Sequence, residues 1–257
     1  MIRIPAPCLL VAGPLFLALA GTASAQDIEA EFRNCTAIAR SDPAKAVSVA
    51  SAWRVRGGGV AARQCLGLAY VGLERWQPAA EAFESAAREA VGNPGAADLW
   101  TQAGNAWLAA EDGNKALAAF DAALSTGALS EELRGEVHLD RARAGVLLNN
   151  LGSARNDINH GLALVGRDPF AWYLSAALAV REGNMDKART DIAKAVELAP
   201  DDADVLLQAG TVAGTAGDTA AARSYYERAI KAAPNSEAAQ QAKAALDSPP
   251  AERPAEE

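Results

Sequence analysis

Three cysteines and two histidines are the side chains of this 257-residue chain best suited to redox, nucleophilic or metal chemistry, and their positions narrow what each can do. Cys8 opens a short apolar run that ends at Ala20. Before the run the only charge is Arg3, and after it come the small residues Ala23-Ser24-Ala25. That three-part pattern reads as a secretory leader occupying residues 1–25, cut after Ala25. A membrane span needs roughly 20 apolar residues; this run is shorter and is broken by Gly13 and Pro14, so no stable insertion is expected once the leader is removed. Export to an oxidising compartment, most plainly a bacterial periplasm, leaves Cys35 and Cys65 as an even pair. A structural disulfide is therefore expected. Two buried thiols are the alternative, and a redox-active pair is disfavoured because such pairs usually occur as C-x-x-C.

The remaining reactive groups form no catalytic pattern. His138 and His160 lie 22 residues apart, without a cysteine pattern or an H-E-x-x-H motif, whereas a structural zinc site wants four ligands. They read as one packed and one partly exposed histidine. No G-x-x-x-x-G-K-[ST] or G-x-S-x-G occurs, and Gly57-Gly58-Gly59 lacks the strand-then-helix setting of a phosphate loop. The carboxylates are expected on outer helical faces and turns, as exposed acidic groups usually are. Neither an enzyme nor a cofactor is expected.

The elements that hold these groups are helices. Alanine supplies 63 residues and Phe, Trp and Tyr only 14, a composition that disfavours strands and favours short helices packed closely. The formal charge of −8 repels a phosphate backbone, so nucleic acid is not an expected partner.

A period of 34 residues organises them, clearest in 169–202 followed directly by 203–236. The same register upstream gives units at 60–93, 97–130 and 135–168, with insertions of three and four residues between. The eighth, twentieth and twenty-seventh positions are Ala or Gly in all five units: Gly67, Gly104, Ala142, Ala176, Gly210; Ala79, Ala116, Ala154, Ala188, Ala222; Ala86, Ala123, Gly161, Ala195, Ala229. The twenty-fourth is large: Phe83, Phe120, Ile158, Ile192, Tyr226. Small residues belong where helix axes cross, at the eighth and twentieth positions within a unit, and the large residue fills the space between units.

Residues 60–236 resemble the tetratricopeptide repeat, most strongly in 97–130, with Trp100, Gly104, Trp107, Ala116, Phe120 and Ala123. The unit at 135–168 departs from that family's pattern, with His138, Gly145 and Gly166 where Trp, an aromatic and Pro are usual, and is expected to be the least stable. The resemblance implies an all-α, right-handed superhelical solenoid of antiparallel helix pairs. Residues 26–59 then read as a degenerate helical cap split near Ser41-Asp42-Pro43, and 237–247 as a polar-faced capping helix. Residues 248–257, rich in Pro and Glu, read as disordered. Stacking would make the helices of Cys35 and Cys65 neighbours.

The family's groove positions, the second, fifth, ninth and twelfth of each first helix, fall here on Gln64, Leu68, Val71, Asp98, Thr101, Asn105, Leu108, Glu136, Leu139, Arg143 and Val146. Further along they fall on Phe170, Tyr173, Ala177, Val180, Asp204, Leu207 and Thr211. Phe170 and Tyr173 form an aromatic step able to anchor a protein segment, and Asn105 and Arg143 suit its backbone or a carboxylate. The carboxylate clamp of some family members needs Lys and Asn on successive units and is not matched. The resemblance thus implies a non-enzymatic interaction scaffold with a protein or peptide partner. The alternative is a self-associating structural adaptor of the cell envelope, acting as a homo-oligomer.

Overall fold

The computed structural model describes residues 25–247; the leader expected over 1–25, all but its last residue, and the segment 248–257 expected to be disordered lie outside the described residues. Thirteen helices follow one another without a strand among those residues. The pairs are α1 (Ala25–Ser41) with α2 (Pro43–Val55), α3 (Gly59–Gly72) with α4 (Trp76–Glu89), and α5 (Ala96–Ala109) with α6 (Gly113–Ser125). They continue with α7 (Glu131–Leu147) and α8 (Leu151–Val165), α9 (Pro169–Arg181) and α10 (Met185–Leu198), and α11 (Ala203–Thr215) and α12 (Thr219–Ala232). A single helix, α13 (Glu237–Asp247), closes the stack against α12 and α11. The whole is a right-handed solenoid of antiparallel helix pairs.

Each pair turns in the same way. The fifteenth residue of every unit has positive φ: Glu74, Glu111, Asn149, Gly183 and Gly217. The next amide then bonds back to the eleventh residue's carbonyl, as in Asp112 to Trp107 at 3.0 Å and Asn184 to Ala179 at 2.9 Å. In four of the five units that next residue also caps the following helix, through Asp112, Asn150, Asn184 and Asp218; Arg75 has no cap to offer. Asp42 does the same for α2, with Pro43 in the first turn.

The core is mainly alanine, with one large side chain at the heart of a pair. The eighth-position glycines have a more specific reason than helix crossing. A Cβ on Gly67 would lie 2.5 Å from the Phe83 ring and one on Gly104 would lie 2.5 Å from Phe120, and Gly210 meets Tyr226 in the same way. Where the eighth residue is Ala142 or Ala176, the partner is Ile158 or Ile192. The pairs therefore pack as Gly with an aromatic or Ala with isoleucine.

The four inserted residues 131–134 belong to α7: Ser130 caps them and they form its first turn. Two expectations are corrected. Leu139 does not face the groove; it is 2% exposed and packs with Ala142, Ile158 and Leu178. Asp157 and Asp191, at equivalent places in their units, are 6% and 2% exposed rather than on outer faces.

Candidate binding groove

Two clefts open along the first helices of the later pairs. The C-terminal one, about 370 Å³, is lined by Tyr173 from α9, by Asp204, Leu207, Gln208 and Thr211 from α11, and by Glu237, Gln241 and Ala245 from α13. The other, about 420 Å³, is an apolar notch between α5, α7 and α9, floored by Leu108, Ala142, Val146, Ile158 and Leu178, with Glu111, Arg143 and Arg181 at its edge. Helix α9 is the wall between them. Tyr173 faces one cleft, while Leu174, Ala177, Leu178 and Arg181 face the other. Phe170, 41% exposed, stacks on Tyr173 with ring centres 5.8 Å apart and planes 12° from parallel.

Of the expected groove residues, Tyr173, Asp204 and Leu207 come together at the C-terminal cleft, with Phe170 stacked beside them, and Arg143 lies at the notch. Gln64, Asp98, Thr101, Asn105 and Glu136 line neither cleft. The Thr101 hydroxyl donates to the Ala97 carbonyl of its own helix at 3.0 Å. Arg143 pairs with Asp140 at 2.9 Å, which offsets part of its charge. The contribution of α13 and of Arg181 was not foreseen. Glu237, Gln241 and Ala245 recur every four residues, the spacing of one helical face, and that was the available signal.

The groove is electrostatically uneven. Burial pushes the Tyr173 phenol up from its ordinary value and the Asp204 carboxylate pushes it further; Arg143 opposes them, and Asp202 adds the least. Burial likewise raises Glu136, helped by its acidic neighbours Glu132, Asp140 and Asp168.

Behind the groove, polar groups tie the units together. Asp157 accepts from the Arg141 guanidinium, with Nη2 at 2.5 Å, and lies 2.9 Å from His138 Nδ1; Arg141 also reaches Asp121 at 2.6 Å. That hydrogen bonding to Asp157 holds the guanidinium pKa above its ordinary value, against the effect of burial. The Ser175 hydroxyl donates to Asp191 at 2.6 Å and accepts from Arg155 at 2.7 Å, and Arg155 pairs with Glu182. His138 is packed at 15% side-chain exposure, and His160 stacks on it with ring centres 5.1 Å apart. Cys35 and Cys65 are joined by a disulfide between α1 and α3, with Cα atoms 6.2 Å apart, both buried beside Trp53. Among the described residues no cluster of His, Cys, Asp and Glu is placed to hold a metal, and no helix is long and apolar enough to cross a membrane.

Stacked helix pairs that present an open groove define a helical-repeat scaffold. The repeats are tetratricopeptide repeats: models of that family match residues 66–132 and 169–235, together just over half of the chain. The unmatched stretch between them contains α7 and α8. Among solved structures, PilW, a type IV pilus biogenesis factor, is similar at 20% identity over 85% of this chain and 99% of its own, with a TM-score of 0.70. PilF of Pseudomonas aeruginosa is similar at 18% identity over 85% of this chain and 97% of its own, with a TM-score of 0.64. YrrB, a repeat protein of this family with an unusual peptide-binding site, matches at 20% identity over 76% of this chain and 96% of its own, with a TM-score of 0.51. At these identities the likeness is one of fold. No curated protein matches the chain in sequence.

Proposed function

We propose that the protein is an exported, non-catalytic scaffold that holds a segment of a cell-envelope protein in the groove lined by α5, α7, α9, α11 and α13. The observation that carries this reading is the stacked pair of exposed Phe170 and half-buried Tyr173 at the C-terminal cleft, in a molecule whose other large aromatics mostly pack within or between repeats. Exposed aromatic anchors beside pockets are where binding energy concentrates. The leader pattern and the paired cysteines support export, with cleavage after Ala25. A pilus biogenesis factor and a peptide-binding repeat protein among the similar folds support the setting and the mode. The reactive side chains are engaged structurally, Cys35 with Cys65 and His138 with Asp157, which supports a role without catalysis.

Photo-crosslinking residues placed in living cells at Tyr173, Leu207 and, on the opposite helices, Arg189 test this reading. Adducts with another envelope protein from the first two sites, but not the third, are expected. The Tyr173→Ala variant should weaken binding of the captured segment by about 2 kcal/mol. Adducts of the chain with itself, together with concentration-dependent sedimentation, would favour the self-associating adaptor instead. A mature protein whose mass does not begin at Gln26 would remove the assigned cleavage.

A further inference from the structure

Among the described residues the buried polar side chains are Asp157, Ser175 and Asp191, and all three belong to the units at 135–168 and 169–202. They fall on the seventh and twenty-third positions. The other units hold Leu66 and Ala82, Ala103 and Ala119, and Ala209 and Tyr225 there, whereas these two hold Arg141 with Asp157 and Ser175 with Asp191. A buried polar pair adds little net stability over an apolar filling, and its best-attested use is to fix register.

Two arginines of the α7–α8 pair cross its boundaries, one on each side. Backward, Arg141 reaches Asp121 of α6 at 2.6 Å while holding its own Asp157. Forward, Arg155, with its side chain 15% exposed, donates to the Ser175 hydroxyl of α9 at 2.7 Å and to the Ser175 carbonyl at 3.2 Å. It also pairs with Glu182 at 2.7 Å. Ser175 and Glu182 are the seventh and fourteenth residues of their unit. Elsewhere those positions hold Leu66 and Leu73, Ala103 and Ala110, Arg141 and Leu148, and Ala209 and Ala216. No other unit offers Arg155 both a hydroxyl and a carboxylate, and no other offers Asp121 a cation at the seventh position. The following unit supplies a comparison. Arg189 stands at the position equivalent to Arg155, the next first helix carries Ala209 and Ala216, and Arg189 stays exposed, paired with Asp186 of its own helix at 3.7 Å.

We infer that Arg141 and Arg155 key the α7–α8 pair into its place in the stack, so that α6 selects α7 and α8 selects α9. The small residues at the eighth, twentieth and twenty-seventh positions recur in every unit and cannot tell one unit from another. Polar partners present in one unit alone can, because a misplaced neighbour forfeits their bonds. Order matters to the groove, since α9 walls both clefts.

Deleting residues 169–202 tests it, because the 34-residue register is kept and α11 then follows α8. In the full chain Arg155→Leu should lower the folding equilibrium constant at least tenfold, read by urea denaturation. In the deleted chain the same substitution should change it no more than twofold. Writing the missing carboxylate into α11 of the deleted chain, with Ala216→Glu, should raise the constant at least fivefold, a gain that Arg155→Leu abolishes. Equal losses in the full and deleted chains, a smaller loss in the full chain, or no gain from Ala216→Glu overturns the inference. If the deleted chain does not fold, the full chain carrying Ser175→Ala and Glu182→Ala decides, since α9 then has the residues of α11 at both positions. Arg155→Leu should cost that chain twofold or less, and a loss above twofold overturns the keyed order.

Discussion

Gly104 and Phe120 settle one packing question between them, because the ring occupies the space a Cβ would need. The substitution Gly104→Ala should destabilise the protein by about 1 to 3 kcal/mol, the usual cost of overpacking a core. Adding Phe120→Ile should recover part of that loss, as the native Ala142 and Ile158 pair suggests, and urea denaturation of the two variants checks it. The smallness of the eighth position was legible in the sequence; its cause was not, since it depends on a ring sixteen residues later. Asp157 and Asp191 were misread for a related reason. Each looks like ordinary helix surface until Arg141 or Ser175 is brought over it from the paired helix. Glu136 gives a pH test. Its carboxyl is raised above its ordinary 4.5, so ionisation in the folded state lowers stability. That penalty is absent below the unfolded value and grows as pH rises through the folded one. Glu136→Gln should therefore raise Tm at neutral pH and leave it nearly unchanged near about pH 3.5.

Among the elements, the turn inside each pair is the most regular feature and the most readily improved. Gly183 and Gly217 hold the left-handed position without strain, whereas Glu74 and Glu111 hold it at φ 54° and 58°. Glu74→Gly should stabilise the protein by about 1 kcal/mol, the scale of the left-handed penalty for a residue with a Cβ, and raise Tm. The sequence disclosed this turn only where glycine marked it; in the first three units Glu and Asn conceal it. The α7–α8 pair is longer than its neighbours yet carries Gly135 and Gly145 in one helix and Gly152 and Gly161 in the other. Each helix-interior glycine costs about 1 kcal/mol relative to alanine. Amide exchange there should be faster than in α9–α10, and equal protection would show that the Asp157 network compensates.

For the whole molecule, stability passes from each repeat to the next, so the ends are held least well. The disulfide acts at one end, joining α1 to α3 across a sequence separation of 30 residues. Reducing it should lower stability by about 3 to 4 kcal/mol in the chain-entropy model. Exchange should quicken first in α1 and α2, with α9 to α12 nearly unaffected. Reduction that loosens the chain uniformly would show a single cooperative unit instead. The linear order of the repeats was legible because a 34-residue period survives in sequence. The C-terminal cleft was not, because its third wall comes from α13, outside the period.

The two ways of filling a pair also bear on how such repeats can diverge after duplication. Passing from Gly with Phe to Ala with Ile requires two substitutions, and their order matters. Changing glycine first drives a methyl into a ring, whereas shrinking the ring first leaves a void that the later methyl can partly fill. The passable route runs through the cavity. A lineage would then be expected to leave intermediates with glycine opposite an aliphatic residue, and few with alanine opposite an aromatic one.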